Sequence, residues 1–190
     1  MPGRSPGTPT FALVAGGGTA GHVLPGLAVA RALVARGHDP ATIHFVGSER
    51  GLETTLVPEA GFGLTVHPGR GIQRRFTLAN LAAVWANFEA AGARYVVVAA
   101  VIDSVSLREM YAEHLAGCEV QLVGLTADDD TVRSRLQHRD TGQDLERHLR
   151  ALKEHRPTAS VADFTVANDR SAADVAAEIL GRAGWADQVT

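Results

Sequence analysis

One stretch limits what this chain can become: Phe11 to Val34, FALVAGGGTAGHVLPGLAVARALV. Thr10 and Phe11 to Ala15 fit a buried strand. Gly16 to Gly21 holds four glycines in six residues and reads as a tight turn. A helix then opens near His22 and carries Val23, Leu27, Ala30 and Val34 along one face. Without Cβ atoms, the turn lets a ligand approach the backbone closely. The helix start adds unpaired N–H groups and the positive end of its dipole, and together these hold anions. Strand–glycine–helix corners also arise for packing alone. Three consecutive glycines followed by TAGH exceed what a corner requires, so Gly16, Gly17, Gly18, Thr19, Ala20 and Gly21 are read as a phosphate or diphosphate loop.

The rest of the chain alternates in type. Ile43 to Gly47, Leu64 to His67, Tyr95 to Ile102, Val120 to Leu125 and Phe164 to Ala167 read as strands. Helices are expected over Glu53 to Ala60, Thr77 to Ala91, Ser106 to Ala116, Asp129 to His138, Gln143 to His155 and Ala172 to Ala183. YVVVAAVI (Tyr95 to Ile102) is continuously apolar, as in a central parallel strand covered on both faces. Pro25 is expected in a first turn, where its missing N–H costs nothing. The expected fold is α/β: one doubly wound, Rossmann-like parallel sheet of about six strands in a three-layer α/β/α arrangement.

Composition narrows the partners. With 190 residues the chain supports one such domain. Net charge of −3 provides no basic field for nucleic acid. A single cysteine, Cys118, permits no disulfide framework and points to a reducing, cytoplasmic setting. No apolar run reaches membrane-span length, and MPGRSPGTPT reads as a flexible leader over residues 1–9. No Cys/His cluster has metal spacing, so no metal is expected. Asp128, Asp129 and Asp130 precede a helix and read as caps. His138, His148 and His155 read as solvated. Asp103 follows a strand, where α/β proteins place either turns or functional groups.

Several motifs then occur in order: GGGTAGHVLPGLAVARAL (Gly16 to Leu33), RGH (Arg36 to His38), FVGSERGLETTLVPEAGF (Phe45 to Phe62) and GRGIQRR (Gly69 to Arg75). With them, residues 10–85 resemble the N-terminal, acceptor-binding lobe of the MurG-type UDP-N-acetylglucosamine transferases of peptidoglycan synthesis, which have the two-lobed GT-B fold. The resemblance implies that the glycine loop faces the acceptor's diphosphate. It also implies that His22 lies at the reacting centre, as a contact or a general base; a near-neutral imidazole suits deprotonation of an acceptor hydroxyl. Arg70, Arg74 and Arg75 would add contacts to a lipid diphosphate, or form a solvated loop. Ile72, Phe76, Leu78, Leu81 and Trp85 resemble the family's membrane-facing patch, with a helix packed on the sheet as the alternative. The implied partners are a diphosphate-bearing small molecule or lipid-linked acceptor, a UDP-sugar as substrate, and the cytoplasmic face of the membrane; no cofactor is implied.

From about Asn80 the resemblance changes. VWANFEAAGARYVVVAAVIDS, VQLVGLTADDDTVRSRLQHRD and DFTVANDRSAADVAAEIL look like the C-terminal half of a small P-loop kinase-like protein, here residues 86–187. It implies that Arg133, Arg135 and Arg139 close over phosphates and that Asn168 and Asp169 lie near an adenine, with Mg²⁺–ATP as ligand. Both parents begin with strand, phosphate loop and helix, so one sheet is expected to run across the join near Asn80 to Trp85. Each parent lacks something. The donor lobe of the transferase has no counterpart after Trp85, and VVVAAVIDS has no second glycine loop. For a Walker loop, His22 stands in place of Lys and Val23 in place of Ser/Thr; Lys153 is the only lysine. Three readings follow: a transferase-like diphosphate binder, an ATP-binding protein with a degenerate P-loop, and a recombined chain without activity.

Overall fold

The computed structural model describes residues 10–16, 20–67, 78–154 and 161–185. Four parallel strands, β1 (Ala12–Ala15), β2 (Ile43–Ser48), β3 (Gly63–His67) and β4 (Tyr95–Val98), form a sheet in the order β3-β2-β1-β4. β1 is its axis, with Ala12 beside Ile43 on one edge and Tyr95 on the other. None of its four residues is more than 2% exposed.

Alternation along the strands sends side chains to two cores. Ala12, Val14, Ile43 and Phe45 meet α1 (Ala20–Ala35), α2 (Glu53–Glu59) and α7 (Ala172–Arg182) on one face. Leu13, Ala15 and Val46 meet α3 (Leu78–Ala90) and α4 (Val105–His114) on the other. The three-layer, doubly wound arrangement therefore holds. Glycine sets the closest approach in the first layer: a Cβ on Gly26 would come 2.9 Å from Val14 Cγ1.

The number of strands in that sheet is corrected. β5 (Val123–Thr126) and β6 (Phe164–Ala167) pair with each other, parallel, in a separate two-stranded sheet. β1 has both edges filled, so a fifth strand could join only outside β3 or β4. β4 ends at Val98, not Ile102, and offers only four residues of edge. Its residues are half-buried, and Val101 beyond it is 69% exposed, so YVVVAAVI is an edge strand plus a loop rather than a covered central strand. β5, also four residues long, satisfies its ladder with β6 instead. Between them lie α5 (Asp129–Arg139) and α6 (Gly142–Glu154), which pack on each other.

The second half still closes onto the first. On α7, Ala176 and Leu180 are buried in the α1 core, and Arg36 donates to the Ala177 carbonyl at 2.9 Å. Rings continue the seam at the amino end of the sheet: His38 stacks on Phe11 at 3.9 Å, Phe11 meets Tyr95 at 5.1 Å, and Tyr95 meets Trp185 at 4.2 Å. α4 is tied to the start of β6 by the Arg108–Asp163 ion pair at 2.7 Å, and Asp163 also accepts from the Leu122 N–H.

The expected membrane-facing patch is also corrected where it can be seen. Leu81 and Trp85 on α3 are 2% and 5% exposed, and Leu78 packs beside them, because the stripe faces β1 and β2. Ile72 and Phe76 lie outside the described residues. No helix among the described residues is long and apolar enough to cross a membrane.

Two outcomes test this packing. Leu180→Ala removes a buried side chain that bridges the halves and should cost about 2–4 kcal/mol; denaturant unfolding should remain a single transition. Burial also pushes the His38 imidazole below its ordinary value of 6.5, and its Nε2 has no hydrogen-bond partner among the described residues. Protonation then favours the unfolded chain, so this site's contribution is present above pH 6.5 and is lost as pH falls below it. His38→Phe should keep the stack and flatten the decline of Tm on the acid side of 6.5, measured by calorimetry against pH.

Candidate functional site

The loops that follow β1 and β4 leave the sheet in opposite directions, because α1 lies on one face and α4 on the other. Such a switch point opens a crevice at the carboxyl ends of the strands, where α/β proteins bind ligands. Gly16 forms its floor. A Cβ there would meet Ala99 Cβ at 3.1 Å and the Ala99 carbonyl oxygen at 3.2 Å. The first glycine of the motif is thus already used in holding β1 against the end of β4.

α1 begins at Ala20, two residues earlier than the sequence suggests, so Gly21 and His22 lie in its first turn. Gly21 is exposed and His22 half-buried. The earlier start puts Pro25 inside the helix rather than in its first turn. Pro25 has no N–H to donate to the Gly21 carbonyl, four residues back, and the bulk of its ring is met there by a glycine. Gly17, Gly18 and Thr19 lie outside the described residues, as do Arg70, Arg74 and Arg75. Ala20 is placed by its backbone alone, as the first residue of α1.

The opposite wall comes from the β4–α4 loop. Ser104 caps α4 by accepting from the Leu107 N–H at 3.3 Å. Asp103, next to it, is exposed. Val101 is exposed on this loop, Val105 at the first position of α4, and Leu24 on the first turns of α1. The crevice therefore combines a helix N-terminus with apolar walls.

A third element was missed by sequence reasoning, which gave Glu53 only a place at a helix start. Its side chain is 1% exposed. Oε1 accepts from the Ser48 N–H at 2.6 Å and from the Ser48 hydroxyl at 3.0 Å. Gly47 and Gly51 leave the space that this carboxylate fills; a methyl at either would overlap it. The signal was present in GSERGLE, where two glycines after a strand precede the acidic residue that opens a helix.

The residues expected near a nucleotide do not form one cluster. Asn168 donates its N–H to the Thr126 carbonyl at 2.7 Å, closing the ends of β6 and β5, and Asp169 is exposed. Arg133 and Arg135 lie midway along α5, half-buried and exposed respectively. Arg139 lies at the far end of α5, where it makes two hydrogen bonds to Asp140, each 2.8 Å. That guanidinium, with His148 at 2.7 Å, holds the Asp140 carboxyl far below the usual range. The start of α5 is filled by its own cap, since Asp128 accepts from the Thr131 N–H and hydroxyl, both at 2.7 Å. Asp129 and Asp130 add negative charge there, which disfavours phosphate. His138 bonds the Ser134 carbonyl within its own helix, His148 is tied to Asp140, and His155 lies outside the described residues.

A cavity of about 350 Å³ opens at the amino end of the sheet, lined by Thr10, Phe11, His38, Asp39 and Thr42. It is at the opposite end of β1 from the glycine turn. Among the described residues no group of three or more His, Cys, Asp or Glu could hold a metal ion.

Residues 12–121 match the model of the glycosyltransferase family 28 N-terminal domain. That match runs from β1 through α4, past the Asn80 to Trp85 stretch. Individual proteins match over a shorter span. The UDP-N-acetylglucosamine–N-acetylmuramyl-(pentapeptide) pyrophosphoryl-undecaprenol N-acetylglucosamine transferase of Desulforudis audaxviator is 44% identical over 72 residues, 38% of this chain and 19% of its own. The enzyme of the same description from Ruminiclostridium cellulolyticum is 46% identical over 72 residues, 38% of this chain and 20% of its own. That of Rhodococcus opacus is 53% identical over 66 residues, 35% of this chain and 17% of its own. The chain thus spans about a fifth of the length of these relatives.

If Gly16 serves packing, Gly16→Ala should lower stability by about 1–3 kcal/mol through overpacking against Ala99. Paired urea titrations of the two proteins measure this.

Proposed function

The chain belongs to glycosyltransferase family 28 through its N-terminal domain, and from that membership we propose that it binds a diphosphate-bearing ligand in the crevice between β1 and β4. The observation that carries the reading is the junction at Gly16: a buried strand ends there, and α1 begins at Ala20 by the switch point of the sheet. N–H groups of residues 17–21 and the dipole of α1 provide the attraction for an anion. His22, in that first turn, is the general base of a sugar transfer or a contact to the ligand. The exposed apolar residues Leu24, Val101 and Val105 suit a ligand whose diphosphate adjoins hydrocarbon. The matched relatives are named for transfer of N-acetylglucosamine onto a pyrophosphoryl-undecaprenol acceptor, and the acceptor side of that reaction is the part assigned here.

Transfer needs a donor held in line with the acceptor hydroxyl. The described residues contain one such crevice, so hexosyl transfer requires a donor-binding lobe from outside them. Arg70, Arg74 and Arg75 are assigned to the same anion, as charge-assisted donors.

Thermal unfolding with a soluble prenyl diphosphate, with UDP-N-acetylglucosamine and with ATP–Mg²⁺ tests the proposal. A ligand of the folded state at 100 times its Kd adds about 2.7 kcal/mol. The expected result is a raised Tm with the prenyl diphosphate that His22→Ala reduces or abolishes. No shift with any diphosphate would overturn the reading. A shift with ATP alone, lost in Arg133→Ala, would establish the nucleotide-binding alternative in its place.

A further inference from the structure

We propose that Glu53 is a positioning residue for the crevice: its buried carboxylate fixes the turn 48–52 as the wall beside Gly16. The proposal rests on the diphosphate-binding reading and names a residue on which that binding depends. Register places this wall. Ala15 is beside Val46 and Ser48 beside His67, so β2 continues past the level at which β1 gives way to Gly16. The chain after Ser48 therefore leaves the sheet beside Gly16, on the side away from β4.

The side chains at the tip of that turn do not anchor it. Leu52 is 47% exposed and Glu49 and Arg50 are exposed. Its shape comes from polar contacts directed inward. The Gly51 N–H donates to the Ser48 carbonyl at 3.3 Å, and the Gly51 carbonyl accepts from Thr54 Oγ1 at 2.8 Å. Glu53 reaches back under the turn to Ser48 through both the backbone N–H and the hydroxyl. A carboxylate removed from water to this degree is retained only when hydrogen bonds replace its hydration. Two neighbouring glycines give up their side chains to admit it. A helix start needs no such burial, since an exposed Asp or Glu in the first turn serves the dipole equally well.

Gly51 supplies a test that leaves the carboxylate in the chain. Its φ is not in the left-handed region, so alanine is tolerated by the backbone, but the new methyl displaces the Glu53 carboxylate. Glu53→Ala, Glu53→Gln, Gly51→Ala and the Glu53→Ala/Gly51→Ala double variant are compared in the full chain. Two readouts are used: amide hydrogen exchange of the turn, and affinity for inorganic pyrophosphate by calorimetric titration. Exchange in the turn should rise about tenfold or more, and pyrophosphate affinity fall about tenfold, in Glu53→Ala and Gly51→Ala. The double variant should be no worse than Glu53→Ala, because both changes break one contact. Glu53→Gln retains an oxygen for Ser48 and should recover most of both effects.

Wild-type exchange in Glu53→Ala and Gly51→Ala would overturn the proposal. So would faster exchange with unchanged affinity, since Glu53 would then be scaffold alone. If wild-type protein binds no pyrophosphate and no prenyl diphosphate, the diphosphate reading fails and with it the wall's ligand. The exchange pattern still decides whether Glu53 holds the turn. Should Glu53→Ala not fold, Gly51→Ala and Glu53→Gln carry the comparison.

Discussion

Everything in this molecule is arranged about the pairing of β1 on both its edges. A strand of four residues with no side chain in water must give its backbone groups to neighbours, and β2 and β4 take them all. That pairing fixes three further things. It creates two faces, and hence two cores. It sends α1 and α4 to opposite sides, which opens the crevice. And it leaves no edge of β1 for β5, so the later strands must pair elsewhere. Gly16 ends the strand where Ala99 comes within a methyl's width. The position that makes the sheet compact is therefore also the first residue of the glycine motif.

Much of this could be read in the residues themselves. FALVA and IHFVG carried the apolar density of covered strands, and the 3.6-residue spacing of Val23, Leu27 and Ala30 gave the buried face of α1. The caps Asp128, Ser104 and Ser171 follow from short polar side chains before helical runs. What failed was sheet membership. Local pattern gives a strand's burial only if its neighbours are known, and YVVVAAVI has the composition of a central strand whichever edge it occupies. Pairing is a property of long-range competition for edges, and nothing within residues 95–102 encodes that β5 is engaged with β6. The α3 stripe shows a similar limit. Leu78, Leu81 and Trp85 form an apolar face that would suit a lipid interface as well as a core, and only the position of β1 beneath them decides for the core.

The site was legible to a different degree. Glycines were visible as such, but their duties were not. Gly16 and Gly26 admit protein neighbours, and Gly47 and Gly51 admit a carboxylate. A sequence shows that a Cβ is absent without showing what takes its place. Glu53 was obscure for the same reason: in a helical start it resembles any first-turn acid. Only the convergence of Gly47, Ser48, Gly51 and Glu53 distinguishes it. Among the arginines of α5, Arg139 has one edge of its guanidinium engaged by the neighbouring Asp140, a local contact that the residue type alone does not announce.

Binding and catalysis separate in a fold of this kind. A glycine turn at a helix start attracts a diphosphate equally before and during sugar transfer, because the diphosphate takes no part in the bond being made. Such uniform attraction lowers the concentration at which ligand is held and leaves the barrier unchanged. The rate must come from groups that act only as the acceptor oxygen loses its proton and the donor's glycosidic bond breaks. His22 can answer to the first of these. For the second, the donor's leaving diphosphate needs its own positive field, opposite the acceptor and in line with it. The crevice has one helix N-terminus facing it from β1, while α4 on the other wall is already capped by Ser104. On the proposed reading one anion has its field in this crevice and the second does not, so turnover of a held acceptor would draw on a donor-binding lobe outside the described residues.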